Sequence, residues 1–211
     1  MNPKKRIVKE PEERKNEILD VAESLFMAKG YEGTSVNNIL FAVNIAKGTF
    51  YYHFKSKEEV LDALIERHIK IVVANAKQII ASPLSPFQKL LTIFTSQKQE
   101  NKSKEGIISV LHEKDNSKMH VKSITQTITH LSPYIAGIIN EGIEKGLYTT
   151  RFPLESAEIL LTAGMVLLDD DFFQWSNEEQ AKKITAFLTV IERALGAKEG
   201  SFMKFSKALE K

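Results

Sequence analysis

The sequence predicts an all-α fold in which a compact three-helix N-terminal unit precedes a larger helical bundle. Three observations lead there. Apolar residues recur at helical spacing in every long segment, and no segment alternates in the manner of a strand. Cap and stop residues punctuate the chain at helix-length intervals. The periodic stretches before residue 56 are short and closely joined, whereas most later ones are long. Apolar residues make up 43% of the 211, enough to fill one small and one larger core, which excludes disordered and fibrous classes.

The first helix is predicted to begin near Pro11, with Glu12 and Glu13 in the turn where a proline and acidic groups suit the free amides and the positive dipole end. Ile18, Val21, Ala22, Leu25 and Phe26 make its apolar stripe, and Gly30 stops it. Thr34 or Ser35 can cap a short second helix carrying Val36, Ile39 and Leu40. A third short helix follows from about Ile45 to His53. Ser56 and Glu59 have capping-box spacing and open a long helix with Val60, Leu61, Leu64, Ile65, Ile69 and Val72.

Ser82 to Pro86 interrupts the pattern. Phe87, Leu90, Leu91 and Phe94 then resume it, followed by a weaker segment from Gly106 to His112 and a polar connection from Lys114 to Ser117. Val121, Ile124, Ile128, Leu131, Ile135 and Ile138 step by three and four along a further long helix, closed by Gly142 and Gly146. Pro153 starts the next, with Leu160, Leu161, Gly164, Leu167 and Leu168. Ser176 and Glu179 repeat the capping-box spacing before a final helix with Ile184, Phe187, Leu188, Ile191 and Leu195. Phe202, Met203 and Phe205 suggest a short terminal helix.

Lys and Arg (29) nearly balance Asp and Glu (27), so the net charge of +2 argues for no general attraction to nucleic acid or membrane, and any basic surface must be local. The absence of cysteine excludes disulfide frameworks and thiolate chemistry and is compatible with a cytoplasmic setting. Met1 to Arg14 lacks the apolar region of a secretion signal, and the longest nearly apolar stretch, Ile159 to Leu168, is too short to span a bilayer, so no membrane partner is expected.

Two short helices separated by about three residues have the layout of a helix-turn-helix DNA reader. The turn is Val43-Asn44, and asparagine tolerates the left-handed backbone such corners need. In the third helix Ile45 and Phe50, with nearby Phe54, can face inward while Lys47, Thr49, Tyr51 and His53 face solvent. Those four groups suit phosphate oxygens and base edges. Lys47, Lys55 and Lys57, with Lys4, Lys5, Arg6 and Lys9 in the tail, supply local positive charge. On charge alone, a solvated surface is an equally good account.

The residue string separates the two accounts. Gly30-Tyr31, Thr34-Ser35-Val36, Ile39 and above all the run from Lys47 to Glu59 (KGTFYYHFKSKEE) closely resemble the signature of the TetR family of transcriptional regulators, across about a quarter of the chain. The resemblance implies a DNA-binding domain over residues 1–56 and a helical ligand-binding and dimerisation domain over 57–211. It implies that Thr34, Ser35, Tyr51 and Lys57 hold phosphates, that Asn37, Lys47, Thr49 and Tyr52 or His53 approach bases, and that Gly48 lets the backbone come close to the duplex. Phe26, Phe50 and Phe54 are then core. The sequence departs from the family at Val43-Asn44-Ile45-Ala46, where Ala46 replaces a capping serine, and at Phe41, where a polar residue is usual.

For the C-terminal part the resemblance implies a layout without a ligand. The last two long helices would form a homodimer interface, with Leu160, Gly164, Leu168, Phe187 and Ile191 as candidates and an intramolecular core as the alternative. Candidates for a small-molecule pocket are Phe87, Phe94, His112, Met119, His120, Tyr134 and Trp175. The expected partners are double-stranded DNA carrying a palindromic operator, a second copy of the chain and an unknown effector. No cofactor is expected. His112, His120 and His130 lack the spacing of metal ligands, and Asp169-Asp170-Asp171 reads as a solvated helix end. The rival class is a helical enzyme, but no G-x-S-x-G, P-loop, G-x-G-x-x-G or H-E-x-x-H motif is present. A third reading is a helical adaptor that binds protein instead of DNA.

Overall fold

The structure, a computed structural model, describes residues 10–103, 117–169 and 172–203, without the side chains of 97–103 and 117–119. The tail lysines and Arg6, the segment from Gly106 to His112, Asp170, Asp171 and Phe205 lie outside the described residues. Among those described there are eight helices and no strand: α1 (Pro11–Lys29), α2 (Val36–Val43), α3 (Lys47–His53), α4 (Lys57–Ala81), α5 (Pro86–Ser103), α6 (Ser117–Glu144), α7 (Pro153–Leu167) and α8 (Asn177–Leu195). No helix among them is long and apolar enough to cross a membrane. Two compact units divide inside α4, between His68 and Ile69.

In the first unit, α1 starts at Pro11 and stops at Gly30, whose φ of 74° takes the chain out of the helix. Ile18, Ala22 and Phe26 are fully buried, as are Ile39 of α2, Phe50 of α3 and Val60 and Leu61 of α4. Each removes a whole apolar side chain from water, so truncating Phe26 or Phe50 to alanine costs about 3–5 kcal/mol. Arg67 clamps α4 to α1, its guanidinium donating to Asp20 and, at 2.6 Å, to Glu23. These partners are partly exposed, so the clamp fixes register more than it adds stability.

The second unit is built on Leu90 and Ile93 of α5, Leu131, Ile135, Ile138 and Ile139 of α6, Ala157, Leu160 and Leu161 of α7, and Ile184, Phe187, Leu188, Ile191 and Leu195 of α8. Helix α6 runs unbroken through Pro133. Ser132 beside it donates its hydroxyl to the Ile128 carbonyl at 2.6 Å. Val121, expected on the apolar stripe of α6, is 53% exposed, because the buried face runs through His120, Ser123, Ile124 and Thr127, and Val121 is turned away from it. At the far end Tyr148 folds so closely over Gly142 that an added Cβ there would lie 2.1 Å from the ring.

Helix α8 carries a full capping box: the Glu179 amide donates to Ser176 Oγ, and the Glu179 carboxylate accepts from the Ser176 amide. At α4 the box is shifted by one residue. Glu59 N–H donates to Ser56 Oγ at 3.1 Å, but its carboxylate takes the Lys55 amide. After α8 the chain turns back at Gly196, and the buried carboxylate of Glu192 accepts the amides of Gly200 (2.9 Å) and Phe202 (2.7 Å). Phe202 thereby enters the core against Phe87, ring centroids 4.4 Å apart, and the short helix suggested around Phe202, Met203 and Phe205 runs beyond the described residues.

Candidate nucleic-acid interface

Ser35 caps α2, its hydroxyl accepting the Asn38 amide while the Asn38 side chain accepts the Ser35 amide. A side-chain amide thus does the work expected of a glutamate in this motif. Helix α2 ends at Asn44, the one non-glycine among the described residues with positive φ (57°), and Ile45 N–H closes the corner on the Leu40 carbonyl at 3.1 Å. Helix α3 begins at Lys47, two residues later than expected, because Ile45 and Ala46 are used in the turn. Ala46 places no side-chain acceptor over the first amides of α3.

Phe50 and Phe54, 0% and 2% exposed, hold α3 to the core. Its opposite side therefore faces out: Lys47 and Gly48 are exposed, Tyr51 is 46% and Tyr52 76% exposed, and Thr49 and His53 are half-buried. Lys47 Nζ lies 5.7 Å above the Tyr51 ring, and His53 meets Tyr52 edge-on at 4.9 Å. Gly48 has nothing within 4 Å of where a Cβ would stand, so no contact inside the protein demands glycine there. The His53 imidazole is held below its ordinary pKa by burial and by Lys15 and Arg14, against the opposing charge of Glu12. It is neutral at neutral pH.

Lys47, Gly48, Tyr51 and Tyr52 thus share the outward side of α3, and Asn37 is exposed on α2. Two other expected contacts turn toward the α1–α2 loop. Thr34 is 1% exposed, its hydroxyl donates inward to the carbonyls of Gly30 (2.9 Å) and Leu25 (3.2 Å), and its amide donates to Tyr31. It pins the α1–α2 loop and has no donor left for a phosphate. The Lys57 ammonium donates to the Tyr31 carbonyl at 2.7 Å, sits 3.9 Å from the Tyr31 ring centroid and lies 3.8 Å from Glu32. That arrangement anchors the same loop. Burial, Glu58 and Glu32 push the Tyr31 hydroxyl up to about 12. Asn38, Arg14 and Lys15 were missed by the sequence reading, and only the S-x-x-N spacing could have revealed the first.

In the second unit the candidate interface residues separate. Leu160, Phe187 and Ile191 are 2%, 6% and 1% exposed and belong to the intramolecular core, while a Cβ at Gly164 would lie 3.2 Å from the Phe187 ring and Leu168 borders that core. The outward faces of α7 and α8 instead carry Leu154 (41% exposed), Ile159 (66%) and Val190 (53%). Asp169, read as solvated, is 6% exposed and 3.3 Å from His120 Nε2.

Of the pocket candidates, Phe87, Phe94 and Tyr134 pack against the core of the second unit. Phe87 packs on Phe202, and Phe94 meets Phe187 edge-on at 6.1 Å. His120 stacks on Phe172 at 4.7 Å, and Tyr134 has Lys77 Nζ 5.6 Å above its ring. Trp175 stacks on Phe173 and donates its indole N–H to the Leu167 carbonyl at 3.0 Å. His112 and the side chain of Met119 lie outside the described residues.

Comparison with known proteins accounts for both parts of the chain. Residues 18–64 match the family described as bacterial regulatory proteins, tetR family, and residues 96–190 match the tetracyclin repressor-like C-terminal domain. The HTH-type transcriptional repressor KstR2 of Mycobacterium tuberculosis is 23% identical over 146 residues, 68% of this chain and 73% of that protein. IcaR of Staphylococcus epidermidis, the negative transcriptional regulator of a biofilm operon, is 44% identical over 52 residues, 25% of this chain and 28% of its own. Among solved structures, RolR in complex with resorcinol has the same fold, with a TM-score of 0.68 and 15% identity over 93% of this chain and 94% of its own. With the helix-turn-helix head and the C-terminal domain each matched, the chain belongs to the TetR family and is a DNA-binding regulator of transcription.

Proposed function

We propose that the protein is a cytoplasmic homodimeric repressor that binds a palindromic operator and is released by a small molecule. One observation carries the DNA-reading half of this proposal. The outer side of α3 presents Lys47, Gly48, Tyr51 and Tyr52 to solvent, while Phe50 and Phe54 fix the helix that bears them. In this reading Tyr51 meets a phosphate, as does Ser35 once its hydroxyl, which donates to Asn38 Oδ1 at 2.7 Å, turns outward, while Lys47, Asn37 and Thr49 approach base edges, with Tyr52 or His53 beside them. Residues 1–56 form the reader and residues 57–211 the sensing and dimerising part.

Dimerisation follows from the task, since two recognition helices about 34 Å apart read the halves of a palindrome. The exposed Ile159 and Val190, with Leu154, are the apolar groups on α7 and α8 available to a second copy. An effector acts by binding more tightly to the state of the dimer that does not fit the operator, and only that difference in affinity shifts the balance. The resorcinol bound by RolR supports a small-molecule effector as a class.

The test is selection of randomised duplex DNA by the purified protein at fixed, near-physiological salt. An enriched palindrome is expected. Tyr51→Ala then weakens binding to all sequences, whereas Lys47→Ala alters base preference. If a folded, dimeric protein enriches nothing, or both variants bind like the parent, this reading of the interface fails.

A further inference from the structure

Phe41 is 90% exposed, the most exposed of the large hydrophobic side chains described, yet it sits in the eight-residue helix α2 that the Asn44 corner joins to α3. Its direction follows from the helix. Ile39 and Val43, two residues to either side, are buried, and residues two apart on an α-helix point roughly opposite ways. Phe41 therefore points straight out of the fold. Asn37, also exposed, precedes it by four residues and lies on the same face one turn nearer the α2 N-terminus.

A phenyl ring has no donor or acceptor, so it does nothing for a phosphate. What it offers to a duplex is an apolar contact, and the apolar group a duplex displays in its major groove is the C5-methyl of thymine. A ring one turn from Asn37 on the same face of α2 sets an apolar group next to the side chain assigned above to a base edge.

We propose that Phe41 is a specificity-determining residue that packs on a thymine methyl group at the edge of each half-site. The proposal rests on the DNA-reading surface assigned above. It gives the regulator a base preference that hydrogen bonding from α3 does not supply.

Methyl scanning tests it. In the selected duplex, each thymine is replaced in turn by deoxyuridine, which removes the methyl and leaves the pairing edge intact. The parent protein is expected to lose about fourfold in affinity at one position per half-site, the value of one buried carbon. Phe41→Ala is expected to bind the thymine and deoxyuridine duplexes equally. Because the side chain is solvated, this variant keeps the parent's melting temperature, so a loss of discrimination is not a loss of fold. The proposal is overturned if no thymine methyl matters to the parent, or if the penalty persists in Phe41→Ala, the outcome expected were Phe41 a contact for another protein. Failure of the parent to select any duplex would show in the preceding step, and would remove the DNA-reading assignment itself.

Discussion

Gly48→Ala separates the demands of the fold from those of DNA. Position 48 lies in the first turn of α3, and an alanine Cβ would meet nothing within 4 Å. Within the protein the change is therefore favourable: alanine fixes a helical backbone at less entropic cost than glycine, by about 0.5–1 kcal/mol, with the lower end suited to a terminal turn. For a chain of 211 residues this raises the melting temperature by about 1–4 °C. On DNA the sign reverses. If the α3 backbone approaches the duplex as closely as the bare glycine permits, the added methyl pushes it away and loses a hydrogen bond to a charged phosphate, worth about 1.5–3 kcal/mol, or roughly 10- to 150-fold in affinity. Calorimetry and fluorescence anisotropy on the selected duplex measure the two halves. A variant that is more stable and binds less DNA is expected. Unchanged affinity refutes the close approach, and a lowered melting temperature refutes the open environment of position 48.

Gly142→Ala is the contrasting case, since its Cβ would collide with Tyr148, and it should lose about 1–3 kcal/mol in urea unfolding. Glu192→Ala should cost about 2–3 kcal/mol by leaving the Gly200 and Phe202 amides without an acceptor, and Glu192→Gln should recover part of that; equal stability of Glu192→Ala and parent would refute the anchor. Ile159→Glu with Val190→Glu should turn a dimer into a folded monomer in light scattering, whereas an unaltered dimer would place the interface elsewhere. Burial lowers the His68 pKa below its usual 6.5 against the charge of Glu23, so the unfolded chain takes up this proton first. Stability from this group is complete above about pH 6.5 and falls as pH drops toward the depressed folded value, and His68→Gln should flatten that part of the melting-temperature profile.

The local grammar of the chain was legible without a structure. Pro11, Pro153, Ser176 and Gly30 start and stop helices through groups within one turn of themselves, and Asn44 takes the left-handed corner because its own side chain tolerates it. The outward side of α3 was legible for the same reason, since a short helix pinned by Phe50 leaves few ways for Lys47, Gly48 and Tyr51 to face. Tertiary structure alone decided where long polar side chains end and which apolar stripe is covered. Thr34 and Lys57 turn inward because the carbonyls of Gly30, Leu25 and Tyr31, brought near by packing, accept their donors. On α7, Ile159 and Leu160 are adjacent and equally apolar, yet one is 66% exposed and the other 2%. Periodicity tells which residues share a face of a helix; it carries no information on which neighbouring element, or which second copy, that face is laid against.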